Sequence, residues 1–354
     1  MSLQHTDKIV GVMSGSSLDG LDIALCHIGT DGKNWHYHIE KATTVTYENS
    51  WKQQLAHAHL LSGLELTKLN SQFGTFIGKT VRHFLDEHHL SADYVASHGH
   101  TVFHQPEKGF TLQIGHGGAL AAAAQLPVVC DFRTTDVALG GQGAPLVPIG
   151  DQLLFADFDY CLNLGGIANM TQQKYLTAFD ITACNILLNY VSEKLGQPYD
   201  KDGVWAASGV VQPDLLAQLN TFPFLDKKAP KSLGKEHITA FFLPILENSE
   251  HNLYDQLATI SEHIALQIAR MLPHTGKLLA TGGGAFNKHL VQKIQHYLNT
   301  KNIQVIVPDS LTVAFKEALI FALLGALRWQ NSDNCLAQVT GAWRNNCGGA
   351  IYWG

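Results

Sequence analysis

The sequence predicts an α/β protein built as two lobes, and three observations carry that expectation. Short apolar runs alternate with stretches of helical periodicity along the whole chain. Two glycine-punctuated turns, about half a chain apart, each sit between such runs, and the second half restarts the plan of the first. The first turn, Gly15-Ser16-Ser17-Leu18-Asp19-Gly20, joins apolar runs at 9–13 and 21–25. The second, Gly165-Gly166 within the stretch 163–169, is entered by Tyr160-Cys161-Leu162 and left by Met170-Thr171. Both read as strand, turn, strand.

Past the first hairpin, Leu66, Leu69, Phe73, Phe76, Val81 and Phe84 keep close to helical spacing in a segment ending at Glu87-His88-His89. This predicts an amphipathic helix packed on a sheet. Residues 94–98 and 110–114 read as short buried strands, 118–125 as an alanine-rich helix, and 128–132 as a strand feeding the glycine-rich loop 139–145. In the second half a strand at 178–180 precedes a helix at 185–195. Leu257, Ile260, Ile264, Ile268 and Met271 then mark a strongly amphipathic helix. It leads to a strand at 278–280 and a third glycine cluster, Thr281-Gly282-Gly283-Gly284-Ala285-Phe286-Asn287. A strand at 303–307 and a helix at 314–329 follow. The echo is one of structure, not of sequence, and no low-complexity linker intervenes, so short segments should join the lobes across a cleft.

Composition narrows the partners. The 354 residues carry a formal charge of -6, with no basic run to track a nucleic-acid backbone, which points to a small-molecule ligand. The start lacks a signal-peptide core and no uninterrupted apolar stretch approaches the length of a bilayer, so a cytoplasmic protein without membrane contact is expected. Six cysteines without a Cys-x-x-Cys pair read as reduced, structural thiols. Among nineteen histidines, His98, His100 and His104 invite a metal-hydrolase reading. Gly99 and Pro106 put them in a strand-to-loop exit and not on one helix face, which favours a polar loop lining a pocket.

Glycine lets backbone approach a ligand closely, so the N–H groups of the three glycine turns, with the Ser16 and Ser17 hydroxyls, can face phosphate oxygens; a single such turn is more often an ordinary tight turn, and three in strand-loop context point to nucleotide binding. Asp19 and Asp22 either hold Mg2+ through water or cap the hairpin turn. Asp180, at a strand end, is either the N-cap of the following helix or a base facing the cleft. Glu317 sits on an otherwise apolar helix and needs a partner if buried, which suits a pocket-facing role.

The stretch 11–22, Ser97-His98-Gly99-His100-Thr101, Asp131-Phe132-Arg133, 140–148, 163–169, 199–203, Pro230-Lys231-Ser232, 282–287 and Val339-Thr340-Gly341-Ala342 together resemble, in order and over nearly the whole chain, the anhydro-N-acetylmuramic acid kinases. That family is a branch of the sugar-kinase, actin and heat-shock ATPase superfamily. The resemblance implies two ribonuclease-H-like lobes around a nucleotide cleft, expected at 1–155, completed by 312–354, and at 156–311. It implies an ATP-dependent kinase of peptidoglycan recycling, which opens 1,6-anhydro-N-acetylmuramic acid with water and phosphorylates its 6-oxygen, and a homodimer. Carried over residue by residue, it makes Asp180 the general base. It assigns ATP to Gly15, Ser16, Ser17, Leu18, Asp19, Gly20, Leu21, Asp22, Gly165, Gly166, Gly282, Gly283, Gly284 and Asn287, with Mg2+ at Asp19 and Asp22 through water. The amino sugar falls to His98, Thr101, Arg133, Gln142, Asn185 and Glu317. Arg133 then pairs either with the lactyl carboxylate of the sugar or with Asp131 or Asp136.

The chain departs from the family pattern in places. Ser16 stands where Thr is usual, His100 where Gln is usual, and Asn189 where an aspartate is common. After Asp180, Ile181-Thr182-Ala183-Cys184 replaces a glycine- and proline-containing stretch. Side chains in place of glycine are expected to reshape the sugar pocket. A kinase for a related amino sugar, or a non-catalytic nucleotide and sugar sensor, are the alternatives this leaves.

Overall fold

The first glycine turn joins two long antiparallel strands, β1 (His5–Ser14) and β2 (Gly20–Thr30), in the computed structural model, which describes residues 5–15, 18–229, 231–273 and 275–354. The chain divides into two compact units, Met1–Leu154 with Phe315–Gly354, and Phe155–Ala314.

In the first unit β2 continues antiparallel into β3 (Trp35–Thr46), while β1 pairs in parallel with β4 (Tyr94–Ser97). Parallel pairing needs a crossover, and α1 (Gly63–Glu87) supplies it. The Ser62 side chain caps that helix by accepting from Glu65 N, and Leu69, Phe73, Ile77, Val81 and Phe84 bury one stripe of it. β5 (His100–Gln105) and β6 (Phe110–Ile114) form a separate hairpin. After α2 (Gly117–Ala124), β7 (Val128–Cys130) adds in parallel to β4, and the C-terminal strand Ala350–Tyr352 closes its outer edge. The sheet order is Ala350–Tyr352, β7, β4, β1, β2, β3.

The second unit opens with the meander β8 (Tyr160–Leu164), β9 (Ile167–Gln172) and β10 (Thr177–Ala183). α3 (Asn185–Lys194) follows, and α4 (Leu253–Met271) buries Leu257, Ile260, Ile264 and Ile268. β11 (Gly276–Thr281) then pairs in parallel with β8, α5 (Lys288–Asn299) crosses over, and β12 (Ile303–Ile306) pairs in parallel with β11. The order β10, β9, β8, β11, β12 repeats that of β3, β2, β1, β4, β7. Each unit thus has a first strand flanked by an antiparallel pair on one side and two parallel strands on the other. This is the ribonuclease-H-like arrangement, and the echo in the sequence is a repeated topology.

β3 escapes sequence periodicity because it is an edge strand with only Ile39 buried. The last helix, α6 (Ser310–Trp329), has one non-helical residue, Phe315 (φ -118°, ψ 21°), where the chain passes from the second unit to the first. It is long and apolar enough to cross a bilayer, yet 72% of its apolar window is buried inside the protein, as befits a core helix. It lies so close to β1 that a Cβ on Gly11 would stand 2.0 Å from the Ala318 carbonyl oxygen. All six cysteines are free thiols.

Candidate active site

In the second unit, β10 does not run straight. Asp180 pairs with Asn169 and Thr182 with Ala168, so Ile181 is the extra residue of a β-bulge. Ile181, Thr182, Ala183 and Cys184 are all buried to 1% exposure or less, whereas Asp180 is only half-buried. The altered stretch therefore turns its side chains into the core, where Thr182 Oγ1 is hydrogen-bonded to His263 Nε2 at 2.9 Å and His263 Nδ1 donates to Asn220 Oδ1 at 2.8 Å. These four side chains therefore face the core and not solvent. Asp180 is not a helix cap either. It lies inside β10, and Cys184 precedes α3 without a side-chain capping bond.

The Asp180 carboxylate is held asymmetrically. Oδ2 accepts from Leu233 N at 2.8 Å and from Ser232 Oγ at 3.3 Å, and Asp180 N donates to the Lys231 carbonyl at 2.9 Å. Oδ1 accepts no bond among the described residues. Burial raises the Asp180 pKa, with the Leu233 and Ser232 bonds and the Lys231 charge pulling the other way.

The glycines of this unit fall into two kinds. A Cβ on Gly282 (φ +81°) would stand 2.3 Å from Asn163 Oδ1, and one on Gly284 would stand 2.8 Å from Leu164 Cβ, so both are needed for packing. At Gly166 only the flexible Ile186 side chain lies near, at 3.1 Å, and at Gly283 nothing lies closer than Asn185 Nδ2 at 3.7 Å. These two expose open backbone, as a phosphate-facing turn requires. Asn185 ties the Gly165-Gly166 turn to α3, its N donating to Gly165 O at 3.1 Å and its Nδ2 to Leu164 O at 2.9 Å.

A cavity of about 920 Å³ in this unit is lined by Asn185, Gly283, Gly284 and Asn287, with Tyr199 and Val307 as apolar walls. Its size suits a small-molecule ligand. Asn287 additionally caps α5 through Leu290 N at 2.9 Å. Asp180 is not part of that lining. Tyr199 lies in the family-like stretch 199–203 and Val307 ends the strand expected at 303–307, but their part in the cavity wall shows only in the folded chain, where their large apolar side chains are 57% and 39% exposed.

In the first unit Ser16 and Ser17 lie outside the described residues. Leu18 adopts φ 60° and its N donates to Gly15 O at 3.4 Å, while Asp19 O accepts from Tyr47 N at 3.4 Å. Gly20 packs against β3, where a Cβ would stand 2.6 Å from Val45 O, and Leu21 is fully buried. Asp22 Oδ1 accepts from Thr44 Oγ1 at 2.6 Å; burial raises its pKa, the Thr44 bond opposes this, and Asp19 adds to it. Two mutually repelling carboxylates suit a hydrated Mg2+. Among the described residues no three His, Cys, Asp or Glu side chains converge on one ion. In the histidine segment, His100 Nδ1 is hydrogen-bonded to Ser14 Oγ and His104 Nδ1 to Thr111 Oγ1, each at 3.1 Å.

Arg133 donates from Nε to His98 Nε2 at 3.0 Å and from Nη1 to Gly143 O at 2.6 Å. His98 Nδ1 donates to Gly99 O at 2.9 Å, which commits both ring nitrogens, and burial together with Arg133 holds its pKa down to about 3. His98 thus has both ring nitrogens engaged, one of them in holding Arg133. Arg133 pairs with neither nearby aspartate: Asp131 accepts from Thr134 Oγ1 at 2.5 Å, and buried Asp136 accepts from Gly143 N at 2.8 Å and Thr340 Oγ1 at 2.8 Å. Burial lowers the Arg133 pKa, against the charge of Glu317. Glu317 is solvent-accessible on α6; its pKa is raised, first by lost solvation among the surrounding protein and then by Asp22, against Lys316 and Arg133. Thr101 Oγ1 accepts from Gln113 Nε2 at 3.4 Å, and exposed Gln142 donates its N to Thr340 O at 2.8 Å.

The sequence profile of the anhydro-N-acetylmuramic acid kinase family matches residues 7–354. The anhydro-N-acetylmuramic acid kinase of Pseudomonas putida is 35% identical over 368 residues, covering 97% of this chain and 98% of its own. Those of Bacillus cereus and a Picosynechococcus species are 32% and 33% identical, covering 94% and 95% of this chain and 94% and 96% of their own. Among solved structures, component A of (R)-2-hydroxyglutaryl-CoA dehydratase from Acidaminococcus fermentans aligns with a TM-score of 0.45 at 12% identity, over 90% of this chain and 96% of that one. On the profile match and the full-length relatives, this chain belongs to the anhydro-N-acetylmuramic acid kinase family.

Proposed function

We propose that this kinase opens the anhydro bridge of 1,6-anhydro-N-acetylmuramic acid with water and phosphorylates the freed 6-oxygen, giving N-acetylmuramic acid 6-phosphate and ADP in peptidoglycan recycling. The observation that supports this most is the asymmetry of Asp180, whose Oδ2 accepts from Leu233 and Ser232 while Oδ1 accepts no bond among the described residues and so suits a proton acceptor. As the water oxygen bonds to C1 of the sugar, its proton passes to Asp180 and the C1–O6 bond breaks, leaving its electron pair on O6. O6 then bonds to the γ-phosphorus as ADP departs. Burial, which raises the Asp180 pKa, makes it a stronger base than an ordinary carboxylate.

ATP supplies the phosphoryl group, and Mg2+ screens the charge of its phosphates. The open backbone of Gly166 and Gly283 suits the phosphates, the cavity beside Asn287 suits the nucleoside, and Asp19 with Asp22 suits water-mediated contact with the metal. Arg133, with Nη2 unbonded among the described residues and the rest of its fork fixed, suits the lactyl carboxylate. Thr101, Gln142, Asn185 and Glu317 complete the sugar set in this reading, which carries with it a cytoplasmic homodimer.

The test is a coupled ADP-release assay with the anhydro sugar in oxygen-18 water, the product read by NMR. The expected label is at the anomeric carbon with none in the phosphate. Label in the phosphate means ATP hydrolysis and sinks the proposal.

A further inference from the structure

We infer that Lys231 is a positioning residue for Asp180: it anchors a three-residue clamp that holds one carboxylate oxygen and so turns the other toward the attacking water. The inference rests on the reading of Asp180 as the base.

Lys231 is 9% exposed, unusual for lysine. Its ammonium donates to two carbonyls, Phe224 O at 3.2 Å and Leu225 O at 3.1 Å, and lies 4.6 Å from the centre of the Phe224 ring. These groups belong to a single 3-10 turn, Pro223–Asp226. Burying an ammonium costs stability unless its donors are used, so this arrangement ties the backbone at 231 firmly to that turn. On the other side of the clamp Leu233 is 6% exposed and fastened in the core. Between the two anchors every residue touches Asp180: Lys231 O takes its N–H, and Ser232 Oγ and Leu233 N both reach Oδ2. A carboxylate rotates about its last bond with little resistance, and donors on one oxygen alone select one orientation.

The charged groups acting on Lys231 are Asp226 and Asp180, which favour its ammonium, and Arg270 and Lys227, which oppose it; burial dominates and lowers its pKa. Among the described residues, the charge named as acting on Asp180 is that of Lys231, which favours the carboxylate.

The experiment uses the intact enzyme and compares Lys231→Met, Lys231→Arg, Ser232→Ala and Asp180→Asn. A mis-aimed base loses rate more than binding, so Lys231→Met should lower kcat roughly ten- to a hundredfold, while the sugar KM and ATP affinity change less than about threefold. Its acid limb of kcat against pH should move to higher pH, because a charge favouring the carboxylate is gone. Lys231→Arg should recover part of the rate. Ser232 is exposed, so Ser232→Ala should fold as the parent does and shift the limb the same way by less; it decides the matter if Lys231→Met does not fold. A fall in kcat without movement of the limb in either variant overturns the clamp, as does parental behaviour of both beside an inactive Asp180→Asn. An active Asp180→Asn overturns the base assignment itself.

Discussion

His98 Nε2 accepts from Arg133 Nε at 3.0 Å while its other ring nitrogen is bound to Gly99 O, so the imidazole is locked neutral in one tautomer and acts as a bracket for the guanidinium. His98→Ala should leave Arg133 loose and weaken sugar binding about ten- to a hundredfold, the usual scale for a hydrogen bond to a charged group. His98→Gln, whose amide oxygen can accept the same bond, should retain most of the affinity. Sugar titration of both variants checks this; equal behaviour of the two would show the bracket to be irrelevant.

Burial sets a pH limit on stability. His98 and His263 are both held down to about 3 in the folded protein, against about 6.5 in an unfolded chain. The unfolded state therefore takes up protons first: the contribution is complete above about pH 6.5 and is lost as pH falls toward 3, at up to about 1.4 kcal/mol per pH unit for each histidine. Denaturant unfolding between pH 7.5 and 5 should show the fall, and His263→Gln should make it shallower. An unchanged slope in that variant would mean that His263 titrates normally.

The two kinds of glycine should respond differently. Gly166→Val places its side chain near Ile186 alone, so it should weaken ATP binding far more than it lowers stability. Gly284→Ala would set Cβ 2.8 Å from Leu164 Cβ and 3.0 Å from Leu164 O, and should cost about 1–3 kcal/mol of stability. Nucleotide titration and denaturant melts on both proteins separate the effects; unchanged ATP affinity in a folded Gly166→Val would make that hairpin purely structural.

Asp180→Asn keeps the shape of the side chain but removes its proton acceptor. Turnover should fall roughly a hundred- to ten-thousandfold, with ATP affinity retained. In the parent enzyme kcat should fall as pH drops through the raised pKa of Asp180, so the acid limb should lie above the ordinary carboxylate range. Near-parental turnover by a folded Asp180→Asn would move the base elsewhere, with Glu317 the next candidate.

The sequence by itself determined the α/β class, the two glycine hairpins, the stripe of α4 and the family, because each is written locally: burial of one face imposes a period, and glycine turns punctuate it. Tertiary structure alone decided the rest. The bulge at Ile181 turns residues 181–184 into the core, although their composition suggested a reshaped pocket. Residues 35–46 form a strand through pairing with β2, without an apolar alternation of their own. His98 meets Arg133 across 35 positions, and Ser232 meets Asp180 across 52. Such bonds depend on where distant backbone segments come to lie, and residue spacing along a chain carries no record of that.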